Sequence, residues 1–224
     1  MKRETKEKMF NVINWCLGVV LCSLGICLCT KGGFGLSMIA APPYILHIWL
    51  RGRFSWFTQG TAEYFWQAVI LLVTAFSARR FRLKYLLSFL TALCSGFVID
   101  GWLYLLGGNG LWSSMPVRIA SFLLGMCITS LAIAFYFHTT LPLSAYELIV
   151  TELSERYSWD KTKVKQINDA VMLLLSVLLA VLLNGSLTGI GIGTVIITLC
   201  NATLIRLCGR EIERVRIRLG LIAE

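Results

Sequence analysis

Apolar residues run along this chain in long blocks, not in strict alternation or a narrow helical stripe. Six blocks, at about 9–29, 61–78, 85–106, 116–137, 168–184 and 190–207, predict membrane-spanning helices, because about 18 or more apolar residues are needed to cross the hydrocarbon layer. Two shorter apolar segments remain, at 37–50 and 143–154. A helix of that length reaches about 21 Å at 1.5 Å per residue, short of the roughly 30 Å core of a bilayer. The short segments are therefore expected to dip into the membrane and return, or to lie along its surface.

The order of blocks repeats. Arg53-Phe54-Ser55-Trp56 is answered by Arg156-Tyr157-Ser158-Trp159, 103 residues on. Leu17-Gly18 answers to Leu124-Gly125 and Leu36-Ser37 to Leu143-Ser144 at an offset of 107, and Leu93-Cys94 to Leu199-Cys200 at 106. Each copy has three spans and one short segment. An odd number of spans turns the second copy upside down, so the expected architecture is all-α: a six-span polytopic bundle of two inverted three-helix repeats, each with a broken or re-entrant helix. The repeats are expected at about 9–107 and 115–208, in one transmembrane domain covering 1–224, with a basic tail at 209–224.

Composition supports this class. The chain is 57% hydrophobic and 15% charged with mean hydropathy +0.73, whereas soluble domains are about 45–50% apolar and 25% charged. The net charge of +9 is read as topology, not as nucleic-acid binding, because the basic residues flank the apolar blocks. Lys2, Arg3, Lys6 and Lys8 precede the first block, and Arg79, Arg80, Arg82 and Lys84 separate the second and third. Arg156, Lys161, Lys163 and Lys165 precede the fifth, and Arg206, Arg210, Arg214, Arg216 and Arg218 close the chain. Six spans place all four groups on one side, with the uncharged loops 107–114 and 184–188 on the other. The positive-inside rule then predicts a bacterial cytoplasmic membrane protein with both termini cytoplasmic. The tail is expected to touch anionic lipid, and a homodimer is an open arrangement.

No Walker loop, zinc-protease helix, nucleophile elbow or dinucleotide fingerprint is present. Neither an enzyme nor a bound cofactor or metal is expected. Chemistry is instead sought where the apolar blocks break. The segment Lys31-Gly-Gly33-Phe-Gly35-Leu-Ser37 aligns with His138-Thr-Thr-Leu-Pro-Leu-Ser144. Ser37 and Ser144 are placed to cap the short helices after them, and Pro42-Pro43 is expected to split the first. If those helix N-termini point into the bundle, their free N–H groups suit an anion or carboxylate, with Lys31 and His138 adding positive charge. If the segments lie at the interfaces, Lys31 snorkels and His138 is an ordinary interfacial residue. Glu147, on the second short helix, faces either the bundle or the cytoplasm. Asp100 interrupts the third block and is expected to face protein, with Arg118 or a polar cavity as its partner, in a structural ion pair or as a transport or proton-coupling group.

These motifs resemble the YczE/YitT-like family of bacterial integral membrane proteins, over about residues 12–207. The resemblance is carried by Leu17-Gly18, the Gly33-Phe-Gly-Leu-Ser37 stretch, the Ser88–Gly101 segment with its Gly96-x-x-x-Asp100 ending, and Gly191-Ile-Gly-Thr194. Where members often carry Gly-x-Ser-Pro-Trp-Asp, this chain reads Gly35-Leu-Ser-Met-Ile-Ala. The resemblance implies a fold and a membrane location more than an activity. The expected function is a small secondary transporter or permease for a small solute, an anion being the class that the helix ends suit. The alternatives are the substrate-binding subunit of a vitamin transporter driven by separate ATPases, and a scaffold or regulator that moves nothing.

Overall fold

A computed structural model of the chain describes residues 3–79, 81–108 and 110–218. Arg80, Asn109 and the end of the basic tail lie outside the described residues. Eight α-helices and one 3-10 turn follow one another, with no strand among the described residues: α1 (Arg3–Gly32), α2 (Ala41–Leu50), α3 (Gln59–Ser77), α4 (Leu83–Leu105), α5 (Met115–Phe137), α6 (Ala145–Tyr157), α7 (Lys161–Asn184) and α8 (Ile192–Arg218). Five of them, α1, α4, α5, α7 and α8, are long and apolar enough to cross a membrane. The expected second span is the helix α3, but its inward face carries Gln59, Glu63, Gln67 and Thr74, all buried, and this polarity keeps it out of the strongly apolar set.

Helices α1 and α5 cross at the centre. A Cβ on Gly125 would come within 2.8 Å of the Gly25 carbonyl oxygen and of Cys29 Sγ, so the two backbones touch where only small residues allow it. α4 packs on α1, and α8 on α5. The short helices bridge the halves: α2 packs on α3 and α7, α6 on α7, α3 and α4. Burial follows position. In their most apolar stretches, 44% of α5 is buried inside the bundle, against 17% for both α7 and α8.

Several hydrogen bonds recur at the repeat offsets. Ser23 Oγ donates to the Ser95 carbonyl at 3.2 Å, and Ser130 Oγ to Asn201 Oδ1 at 2.9 Å. Arg118 Nε donates to the Gly32 carbonyl at 2.9 Å, and Thr139 Oγ1 to the Asn11 carbonyl at 2.9 Å. Thr58 caps α3 by accepting from the Thr61 N–H, and Asp160 caps α7 by accepting from the Lys163 N–H.

Three local expectations are corrected. Pro42 and Pro43 do not split α2; they sit in its first turn, where missing N–H groups cost nothing and the fixed φ suits a helix start. Ser37 lies before α2, and its backbone carbonyl, not its hydroxyl, accepts from the Ala40 and Ala41 N–H groups. The described part of the basic tail, 209–218, is not separate from the last span, since α8 runs on to Arg218 and packs Ile212 inward, with Arg216 over the Phe10 ring at 5.7 Å.

Candidate functional site

Both short helices start inside the bundle. Each follows a break in the long helix before it: Gly33 and Gly35 hold φ +72° and +121° after α1, conformations closed to most side chains, while Pro142 interrupts the chain after α5. The breaks bring Ser37, Ile39 and Ala40, and Ser144, Tyr146 and Glu147, to the lining of one cavity between α1, α3, α4 and α5. The cavity volume is about 40 Å³, room for about three waters.

The chemistry of the cavity is acidic. Glu63, from α3, is 4% exposed. Its Oε1 accepts from Tyr146 Oη at 3.0 Å and from Gln67 Nε2 at 3.1 Å. Gln67 Oε1 in turn accepts from the Ala145 N–H at 3.1 Å, at the first turn of α6. Glu147 accepts from Ser144 Oγ and faces the same cavity. The α6 N-terminus, with its partial positive charge, is thus already met by the Gln67 amide oxygen, and Glu147 lies on its first turn. Two carboxylates line the cavity, and no Lys, Arg or His does.

A second, larger cleft of about 110 Å³ continues from this cavity between α5, α7 and α8. The two share Ser37, Ile39, Thr129, Ile133 and Glu147. The cleft ends at Lys165 and Asp169, whose charged groups lie 3.3 Å apart on α7.

Of the residues singled out from sequence, Ser37, Ser144 and Glu147 are brought together here. The others are not. Lys31 lies at the far end of α1 and donates to the Gly107 carbonyl at 2.8 Å. His138 ends α5 and bonds the Ala134 carbonyl at 2.7 Å. Gly33 and Gly35 shape the break and line a separate outer pocket. Asp100 does not pair with Arg118. It accepts from Thr58 Oγ1 at 2.6 Å and from the Gly60 N–H at 2.9 Å, at the α3 N-terminus. Arg118 instead caps the end of α1 and lies 5.4 Å from the Phe34 ring centre. A helix start offers a carboxylate free N–H groups and a favourable dipole, and the C-terminal carbonyls of α1 offer a cation the converse. Glu63, Gln67 and Tyr146 were missed. The available signal was a glutamate and a glutamine one helical turn apart within an apolar block, on one face.

Helix composition and a buried polar centre define a multi-pass membrane protein. The chain belongs to the Family of unknown function (DUF6198), whose model matches residues 9–210. It is 28% identical over 188 residues to the "Uncharacterized protein YyaS" of Bacillus subtilis (strain 168), covering 82% of this chain and 84% of that protein. No solved structure matches the chain. The resemblance to YczE/YitT-like proteins rests on the sequence motifs alone.

Proposed function

We propose that the protein is a small secondary transporter of six spans, built from two inverted repeats, with its site at the central cavity. The equivalent hydrogen bonds Ser23–Ser95 and Ser130–Asn201, and the equivalent pair Arg118–Gly32 and Thr139–Asn11, support the repeat. Transporters of this design hold substrate near mid-membrane, where broken helices meet. The observation that carries the reading is the convergence of both short-helix starts and of Glu63 on one cavity. Ionisable residues are costly inside a membrane and mark functional pathways. The basic groups beside α1, α4, α7 and α8 favour a plasma-membrane protein with cytoplasmic termini.

The lining shifts the expected cargo. Glu63 and Glu147 line the cavity and no basic side chain does, so the cavity suits a small solute that donates hydrogen bonds or carries positive charge. Proteoliposomes tested with labelled methylammonium and guanidinium, and with acetate as the anionic comparator, check this. Uptake of a cation above empty vesicles, lost in Glu63→Gln, is the expected outcome. Uptake of acetate alone would reverse the charge assignment. No uptake of any probe, with purified ATPase subunits bound to the chain, would favour a substrate-binding subunit.

A further inference from the structure

The two halves of the bundle share most of their packing and differ in two places: α6 packs on α4 with no α2–α8 counterpart among the described residues, and the outer helix pairs differ. α1 with α4 matches α5 with α8, and α2 with α7 matches α6 with α3. α3 also packs closely on α4, whereas among the described residues α7 and α8, their counterparts, do not pack on each other. The closed pair meets backbone to backbone. A Cβ on Gly96 would come within 2.6 Å of the Gly60 carbonyl oxygen, and Asp100 fastens the α4 end to Thr58 and Gly60 of α3. The open pair has the cleft between its members, with Asp169 on one wall and Thr198, Asn201 and Ile205 on the other. That cleft runs from the central cavity to the end of the bundle bearing Lys165.

We propose that this asymmetry is one half of a switch. In the other state α7 closes on α8, α3 parts from α4, and the central cavity opens at the opposite end of the bundle. The sequence supplies a second latch for that state. Asp100 is matched by Arg206 at the α4-to-α8 offset of 106, and the α3 cap Thr58 by the α7 cap Asp160. Closure of α7 on α8 brings the exposed Arg206 guanidinium to the Asp160 carboxylate. The first latch is a carboxylate on a hydroxyl and an N–H group, the second an ion pair, so each is available only in its own state. This inference rests on the inverted-repeat reading above.

Hydrogen–deuterium exchange on the full chain in nanodiscs tests it. Asp100→Asn removes the charge from the first latch and is expected to speed exchange around residues 58–62 on the order of tenfold, the loss of a helix cap. A switch further requires exchange to slow at 163–170 and 198–206, because α7 and α8 then spend more time packed. Arg206→Gln added to Asp100→Asn should cancel that slowing. Faster exchange at 58–62 with no change at α7 and α8 would overturn the proposal and leave Asp100 a local cap. Should Asp100→Asn fail to fold, Thr58→Val removes part of the same latch, with the same two outcomes. Reciprocal exchange in a protein that moves no solute would cancel the transporter reading and keep the switch. Transport without reciprocity would do the reverse.

Discussion

The α3/α4 pair and the α7/α8 pair carry similar patterns of small residues, yet one is shut and the other parted. Small residues alone do not explain this. α4 carries Ser88, Ala92, Ser95 and Gly96, and α8 carries Thr194, Thr198, Asn201 and Ala202 at the same offsets. At the facing helix α3 presents Gly60, which meets Gly96 of α4 backbone to backbone, whereas α7 contains no glycine. Two glycines let carbonyls and backbone meet, and the α7/α8 pair has no such pair of facing glycines. Ties to other helices widen the difference. Glu152 on α6 binds Lys84 and Arg82 and accepts from Tyr85 Oη at 2.9 Å, anchoring the α4 start. The charged pair on α7, Lys165 with Asp169, lies within one helix and anchors nothing across the cleft.

The comparison breaks most sharply at the glycine contact. Gly96→Leu should destabilise the detergent-solubilised protein by about 1–3 kcal/mol, the range for overpacking a tight contact. Ala202→Leu, at the parted pair, should stay within about 0.5 kcal/mol. Thermal unfolding of the two variants checks the contrast, and equal losses would mean that α7 and α8 are packed as tightly as α3 and α4.

Asp100→Asn should cost about 0.5–2 kcal/mol, as loss of a charged cap does. Since Arg118 serves α1 and not Asp100, the double variant with Arg118→Gln should be additive within about 0.3–0.5 kcal/mol. Recovery of stability in the double variant would restore the ion pair expected from sequence.

The anchor at Glu152 is sharpened by pH. Burial works to raise its pKa, but hydrogen bonds from Lys84 and Tyr85 and the charges of Lys84 and Arg82 outweigh it, so the folded pKa lies below the usual carboxylate range. A depressed folded pKa gives stability that is fully present above the unfolded pKa and is lost as pH falls through the folded one. Melting temperature should therefore fall on acidification below the ordinary carboxylate range, and Glu152→Gln should flatten that fall. An unchanged acid limb in Glu152→Gln would assign it to other carboxylates. The smallest effect belongs to Lys165→Ala, where a half-exposed i,i+4 pair is worth about 0.3–0.5 kcal/mol; a larger loss of stability would mean that Lys165 reaches across the cleft.

By itself the sequence determined the helical blocks and their membrane character, because these follow from the length and hydropathy of local segments. It also marked the two breaks, since glycines with positive φ and a proline act within a few residues of themselves. It determined that Ser37, Ser144 and Glu147 follow those breaks, but not that they would line one cavity. Only the tertiary structure decided that, because the meeting depends on how α2 and α6 pack across the halves. It likewise sent Asp100 to the start of α3 and Arg118 to the end of α1, where two neighbouring helix termini gave each charge a nearer partner than the other. The packing also turned Glu63 and Gln67 inward. Burial of a polar face is a property of the neighbours around a helix, and a block read only for its mean hydropathy does not carry it.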